Sequence, residues 1–233
     1  MKRQIRRGCW ETNSSSQHSL VVMKNDDHYT TQEISKDFYL HEDGVWDAWS
    51  ADLDFGRTPF RVLGTFKTKW LYACASLVKE YNDDTYKKLK AFAIKYIPGL
   101  REIKMPTTIS HVPNLDNEKN KDNWYAQKYG KTEAELNEYL DQKEEEWEIE
   151  GLEYWEDRAG DFCFTIPYTG HTDEPFLQEF LEHENLSLEE YLTNRKYVIV
   201  QDGDEYCYWQ DMKKAGLVNS EAIDHEFPDQ EGE

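Results

Sequence analysis

Only four of the 233 residues are cysteine, and Cys9, Cys74, Cys163 and Cys207 lie too far apart to form a C-x-x-C pair. That spacing excludes the common zinc-ribbon and dithiol redox motifs and fits free thiols in a reducing compartment. Long hydrophobic runs are also missing. The longest, WLYACASLV, is far too short to cross a bilayer, and the basic start MKRQIRRGCWETNSS leads into no apolar stretch of the kind a secretory leader needs. The expectation is a soluble, cytoplasmic protein without a membrane partner. Bases are scarce: 27 Lys and Arg stand against 47 Asp and Glu, a formal charge of −20. Such a surface disfavours direct contact with nucleic acid, anionic lipid and acidic substrates, which makes a basic protein surface the better-matched partner. Internal repeats, low-complexity domains and Gly-rich phosphate loops are absent too.

Aromatic side chains are plentiful. The chain carries 8 Trp, 15 Tyr and 10 Phe, enough to build a sizeable core although charged residues reach 32%. Disordered chains of similar charge lack such side chains, so a folded protein with a very polar exterior is expected. LVVM, from Leu20 to Met23, reads as a buried strand. Phe66, Trp70, Leu71, Ala73, Cys74, Leu77 and Val78 recur at helical spacing behind Thr65 and up to Tyr81. A second helix is expected after Asn82 as N-cap, with Tyr86, Leu89, Ala93, Ile94 and Ile97 on one side before Pro98-Gly99 stops it. The two should pack as an antiparallel hairpin.

REIKM reads as a short strand, and Thr107 to Asn123 as a polar connector and candidate hinge. Thr132 and Glu135 fit a capping box at the head of a third helix with Leu136, Tyr139, Leu140 and Trp147 on one face; Ser187 and Glu190 fit another. DFCFTIPYTG alternates as a strand, Pro175 to Glu184 reads as a short helix, and Asp202-Gly203 between two β-rich runs is a hairpin signal. The fold class expected is α+β: antiparallel strands with a carboxy-proximal hairpin, packed with several amphipathic helices. Residues 1–233 read as a single domain, with the hinge near 107–123 and an acidic tail over 219–233.

The segment ETNSSSQHS, beside Arg6 and Arg7, is the candidate ligand site. Thr12, Asn13, Ser14, Ser15, Ser16, His18 and Ser19 could join those guanidinium groups in donating to phosphate oxygens. The competing reading is that these side chains form Asx- and ST-turns ahead of the first strand. Nucleophilic catalysis with His18 as base would need an orienting carboxylate and an oxyanion hole, neither of which is recognisable, so no catalytic residue is assigned. An ADP-ribosyltransferase arrangement of Arg7, Ser14 to Ser16 and Glu148-Ile149-Glu150 has the right order but the wrong spacing. Neither a cofactor nor a metal is assigned: His41 to Asp43, Asp52 to Asp54 and His171 to Glu174 read as solvated loops.

RQIRRGCWETNSSSQHSLVV resembles the amino-terminal signature of a group of uncharacterised phage and prophage proteins. Their chains open with an Arg-rich start, Gly, an aromatic, then E-T-N-S-S-S-x-H-S and a hydrophobic strand. Gly8, Trp10, Glu11 to Ser16, His18 and Ser19 match, whereas Cys9 stands where an aliphatic residue is more usual. FGRTPFRVLGTF and DGDEYCYW are similar to later stretches of that group. The resemblance implies a phage-derived protein in the host cytoplasm and carries over no activity.

Acid density peaks from Glu133 to Gly160, with twelve acids against Lys143 and Arg158 in 28 residues. Were the whole stretch helical, it would run about 42 Å with an acid roughly every 3.5 Å, near the ~3.4 Å phosphate spacing along one DNA strand, as a nucleic-acid mimic requires. A solvated outer helix face accounts for the same residues without a partner. Within the stretch, Glu144, Glu145, Glu146, Trp147, Glu148, Tyr154 and Trp155 are the candidate partner-binding residues. The functional expectation is a non-enzymatic, phage-associated accessory protein that binds a basic protein surface through this face. Anti-defence inhibition of a nucleic-acid-binding host enzyme is one concrete form. The alternatives are an enzyme or binding protein for a phosphorylated small molecule at the Ser-rich loop, or a virion component.

Overall fold

Side-chain caps set where most helices begin. In the computed structural model, which describes residues 17–55, 61–78, 83–147, 150–172, 177–202, 214–217 and 223–224, Thr30 and Glu33 close a reciprocal capping box on α1 (Thr31–Lys36). Thr65 starts α2 (Phe66–Leu77) in the same way, with Thr68 in the reciprocal role. The cap of α3 (Asp84–Tyr96) is Asp83, whose carboxylate accepts the Tyr86 N–H at 2.6 Å; Asn82, the expected cap, lies outside the described residues. Asn123 caps α4 (Trp124–Tyr129), and Thr132 and Glu135 form the expected box on α5 (Glu133–Trp147). After α6 (Leu177–His183), Ser187 accepts the Glu190 N–H at the head of α7 (Leu188–Thr193). Among the described residues no helix is long and apolar enough to cross a membrane.

Among the described residues the strands form four small sheets, and the fold is α+β as the pattern implied. β1 (Gln17–Val22) runs antiparallel to β10 (Tyr197–Asp202), which pairs on its other side with β4 (Arg61–Leu63); β11 (Ile223–Asp224) lies beside β1. Two parallel pairs are β2 (Val45–Asp47) with β5 (Glu102–Lys104), and β3 (Asp54–Phe55) with β9 (His171–Thr172). The second antiparallel sheet has the order β6 (Thr107–Val112), β8 (Phe162–Pro167), β7 (Tyr154–Glu156). Consecutive strands β7 and β8 make a hairpin in the carboxy-terminal half. The turn expected after Asp202 lies outside the described residues.

Among the described residues, a larger and a smaller cluster of buried side chains hold these elements. In the larger, α2 is buried along much of its length, with Phe66, Trp70, Tyr72 and Cys74 at its centre. Trp70 donates its indole N–H to the Leu89 carbonyl at 2.8 Å, tying α2 to α3, and meets Trp46 edge-on at 5.3 Å between ring centres. Ile94 departs from expectation: it is exposed, on the outer side of α3.

The smaller cluster packs Leu136 and Leu140 of α5 against Phe162 and Phe164 of β8. This second unit enters through β6 and leaves through β8, where Thr107 faces Pro167 and the Tyr168 N–H donates to the Pro106 carbonyl at 2.8 Å. The stretch from Thr107 read as a polar connector therefore begins as a strand. Its Thr, Ser and His side chains misled because β6 is an edge strand, where polar residues are common.

Candidate functional site

A glycine-dependent turn builds a concave charged site. Gly44 has φ +83°, and the Val45 N–H is held by the Asp43 carboxylate at 3.1 Å. The His41 N–H donates to the Val45 carbonyl, folding the segment after α1 back over β2. Asp37, Tyr39 and His41 thereby come to line one cleft with Trp46 and Asp47 of β2, Trp49 and Asp52 of the short 3-10 turn Ser50–Asp52, and Lys67 of α2. The cleft holds about 410 Å³. Tyr39 and Trp49 are 83% and 69% exposed, far more than aromatic side chains in a core, whereas Trp46 is buried against Phe38 and Trp70.

Electrostatics in the cleft favour a cation. Lys67 Nζ already sits 5.7 Å from the centre of the Trp46 ring and 3.7 Å from an Asp52 carboxylate oxygen. His41 Nε2 lies 3.0 Å from Asp47 Oδ2. Ring faces and carboxylates together are the chemistry that accepts ammonium and guanidinium groups.

The acidic stretch distributes its residues between structure and surface. The α5 helix ends at Trp147 and the chain returns as β7, so no single helix carries all the acids from Glu133 to Gly160. Trp147 is buried, which removes it from the expected contact set. Glu144 accepts the Leu152 N–H. Glu146 accepts from Lys143 and Gln142, and the Lys143 hydrogen bond in particular holds its carboxyl below the usual range. Lys143 in turn lies over the Tyr139 and Trp147 rings.

Tyr154 is half-buried and donates to Glu133 at 2.6 Å, so it too is engaged within the chain. Glu145 and Trp155 are exposed, and Glu148 lies outside the described residues. Glu138, Asp141 and Glu145, three and four residues apart, share one exposed stripe of α5.

Of the Ser-rich segment, Arg6, Arg7, Thr12, Asn13, Ser14, Ser15 and Ser16 lie outside the described residues. His18 and Ser19 belong to β1 rather than to a loop, paired with Gln201 and Val200 of β10. No protein-family model, curated protein or solved structure matches this chain. Its chemistry has to be read from its own side chains.

Three groups that sequence reading did not connect meet on the β6–β8–β7 sheet. Cys163 Sγ lies 3.3 Å from His111 Nδ1, and one atom of each of His111, Asp157 and Cys163 falls within 4.8 Å of the others. Burial, then Asp157 and Asp161, push the Cys163 thiol up, which makes it a poor free nucleophile. Among the described residues, the acidic loops pair His41 with Asp47 and set His171 Nδ1 3.8 Å from Asp54. The cleft was within partial reach of the sequence. HEDGVWDAWSADLD shows acids around two Trp residues, yet Tyr39 and Lys67 join them only through the Gly44 turn and the packing of α2.

Proposed function

We propose that this chain is a non-enzymatic accessory protein that binds a basic protein surface, receiving a lysine or arginine side chain in the Tyr39–Trp46–Trp49 cleft. The observation that carries this reading is Lys67, an internal cation held between the Trp46 ring and the Asp52 carboxylate at the cleft wall. Exposed Trp49 and Tyr39 supply further ring surface, and Asp37 and Asp47 supply charge for a second cation. The −20 net charge steers a basic partner toward the molecule over distances the cleft itself does not reach. Glu138, Asp141 and Glu145 supply a second acidic surface along α5.

The amino-terminal resemblance supports a phage-associated protein acting in the host cytoplasm, with a nucleic-acid-binding defence enzyme as one class of basic target. The test is affinity capture from host lysate at low and high salt, comparing wild type with Trp49→Ala combined with Asp52→Asn. A partner held by the wild type, released by salt and lost with the double variant supports the reading. Capture of the same proteins by both chains would remove the cleft from the interaction.

A further inference from the structure

We propose that His111, Asp157 and Cys163 form a binding site for a single borderline-soft divalent cation, with zinc as the best chemical fit. Strand register assembles it. His111 on β6 and Trp155 on β7 stand directly opposite Cys163 on the central strand β8, so the three side chains make one row across the sheet. Phe162 and Phe164, the neighbours of Cys163 along β8, pack with Leu136 and Leu140, which leaves Cys163 on the other face.

Asp157 follows β7 directly and reaches the row from the β7–β8 loop. One of its carboxylate oxygens accepts the Ala159 and Asp161 N–H groups at 2.8 and 3.0 Å, which fixes the direction of the carboxylate as an outer shell of hydrogen bonds does for metal ligands.

Donor types and spacing suit zinc. Bond lengths of about 2.3 Å to sulfur and about 2.0 Å to imidazole nitrogen at a tetrahedral angle place those two atoms roughly 3.5 Å apart. The Sγ to Nδ1 separation is 3.3 Å. A thiolate, a carboxylate and a neutral imidazole balance a divalent charge, and Cys163 loses its proton to solvent on binding. A hard, all-oxygen cation such as Mg²⁺ or Ca²⁺ is poorly served by sulfur and nitrogen. Three protein ligands leave the fourth position to water or to a group from outside, and exposed His111 keeps that side open.

Anaerobic titration of the full chain with Co²⁺ tests the site, because a cobalt–thiolate bond gives a charge-transfer band that zinc then abolishes. The expected result is saturation at a single equivalent, with the band lost in Cys163→Ser and in His111→Ala and kept in Cys9→Ser and Cys207→Ser. His111 is exposed, so its replacement reads ligation separately from folding, with circular dichroism as the check. Absence of the band from the wild type, or its survival in either ligand variant, overturns the proposal.

Discussion

Lys69 donates a hydrogen bond to the Asn194 carbonyl at 2.6 Å, from a side chain that is entirely buried between α2 and the end of α7. It donates also to the Tyr191 carbonyl at 3.2 Å and lies over the Tyr29 and Tyr191 rings. Burial, with Arg195 adding repulsion, pulls this ammonium down to about 7, against the pull of Glu190. Between that value and the ordinary lysine range the unfolded chain holds a proton that the folded chain has released. Stability therefore rises with pH from about 7 upward. In Lys69→Met the slope of unfolding free energy against pH falls by up to about 1.4 kcal/mol per pH unit over this window. Urea unfolding at a series of pH values measures it, and an unchanged slope would assign the proton elsewhere.

The α5 acids divide into two groups that should behave oppositely. Replacing Glu138, Asp141 and Glu145 by their amides removes like charges at three- and four-residue spacing, each pair worth about 0.2–0.5 kcal/mol, so the melting temperature stays level or rises. Binding of oligolysine weakens in the same variant, and its salt dependence flattens. Glu144→Gln replaces the carboxylate that accepts the Leu152 N–H and lowers stability by about 1 kcal/mol instead. Thermal melts and titration calorimetry at two salt concentrations separate the groups; a melting loss in the triple variant would place those acids in the fold.

The smaller cluster of buried residues is predicted to be the weak point of the chain. Leu136 is fully buried against β8, and Leu136→Ala should cost about 2–5 kcal/mol by leaving a cavity under α5. Hydrogen exchange should show the loss concentrated over 107–167, while the Trp70 and Leu89 region keeps its protection. Uniform loss across the chain would mean that the two clusters unfold together.

Local signals were legible and long-range ones were not. Thr65, Thr132 and Ser187 announce helices because a cap and its partner lie three residues apart. The spacing of Trp147 from Leu136 and Leu140 already put it on the apolar face of α5, which outweighs its acidic neighbours as a guide to where it points. β6 was missed because an edge strand with one thinly covered face needs few apolar residues. The His111–Cys163 pair depends on strand register across 52 residues, and the cleft on a turn that returns Tyr39 to Trp46. Neither distance leaves a periodic trace in the sequence.

Gly44 links backbone conformation to the cleft. A Cβ there would approach the Gly99 carbonyl oxygen at 2.5 Å, in a conformation already in the left-handed region, and the Gly44 carbonyl accepts the Arg101 N–H at 2.8 Å. Gly44→Ala should therefore destabilise the chain by about 1–3 kcal/mol and shift Tyr39 and His41 away from Asp47 and Trp49. Trp49→Ala, an exposed truncation outside the turn, should leave the melting temperature within a few degrees of wild type yet weaken oligolysine binding to a similar degree. Calorimetric titration of both variants below their melting temperatures decides the matter. If Gly44→Ala binds oligolysine as tightly as wild type, the turn does not hold the cleft, and the cation site has to be sought among the α5 acids.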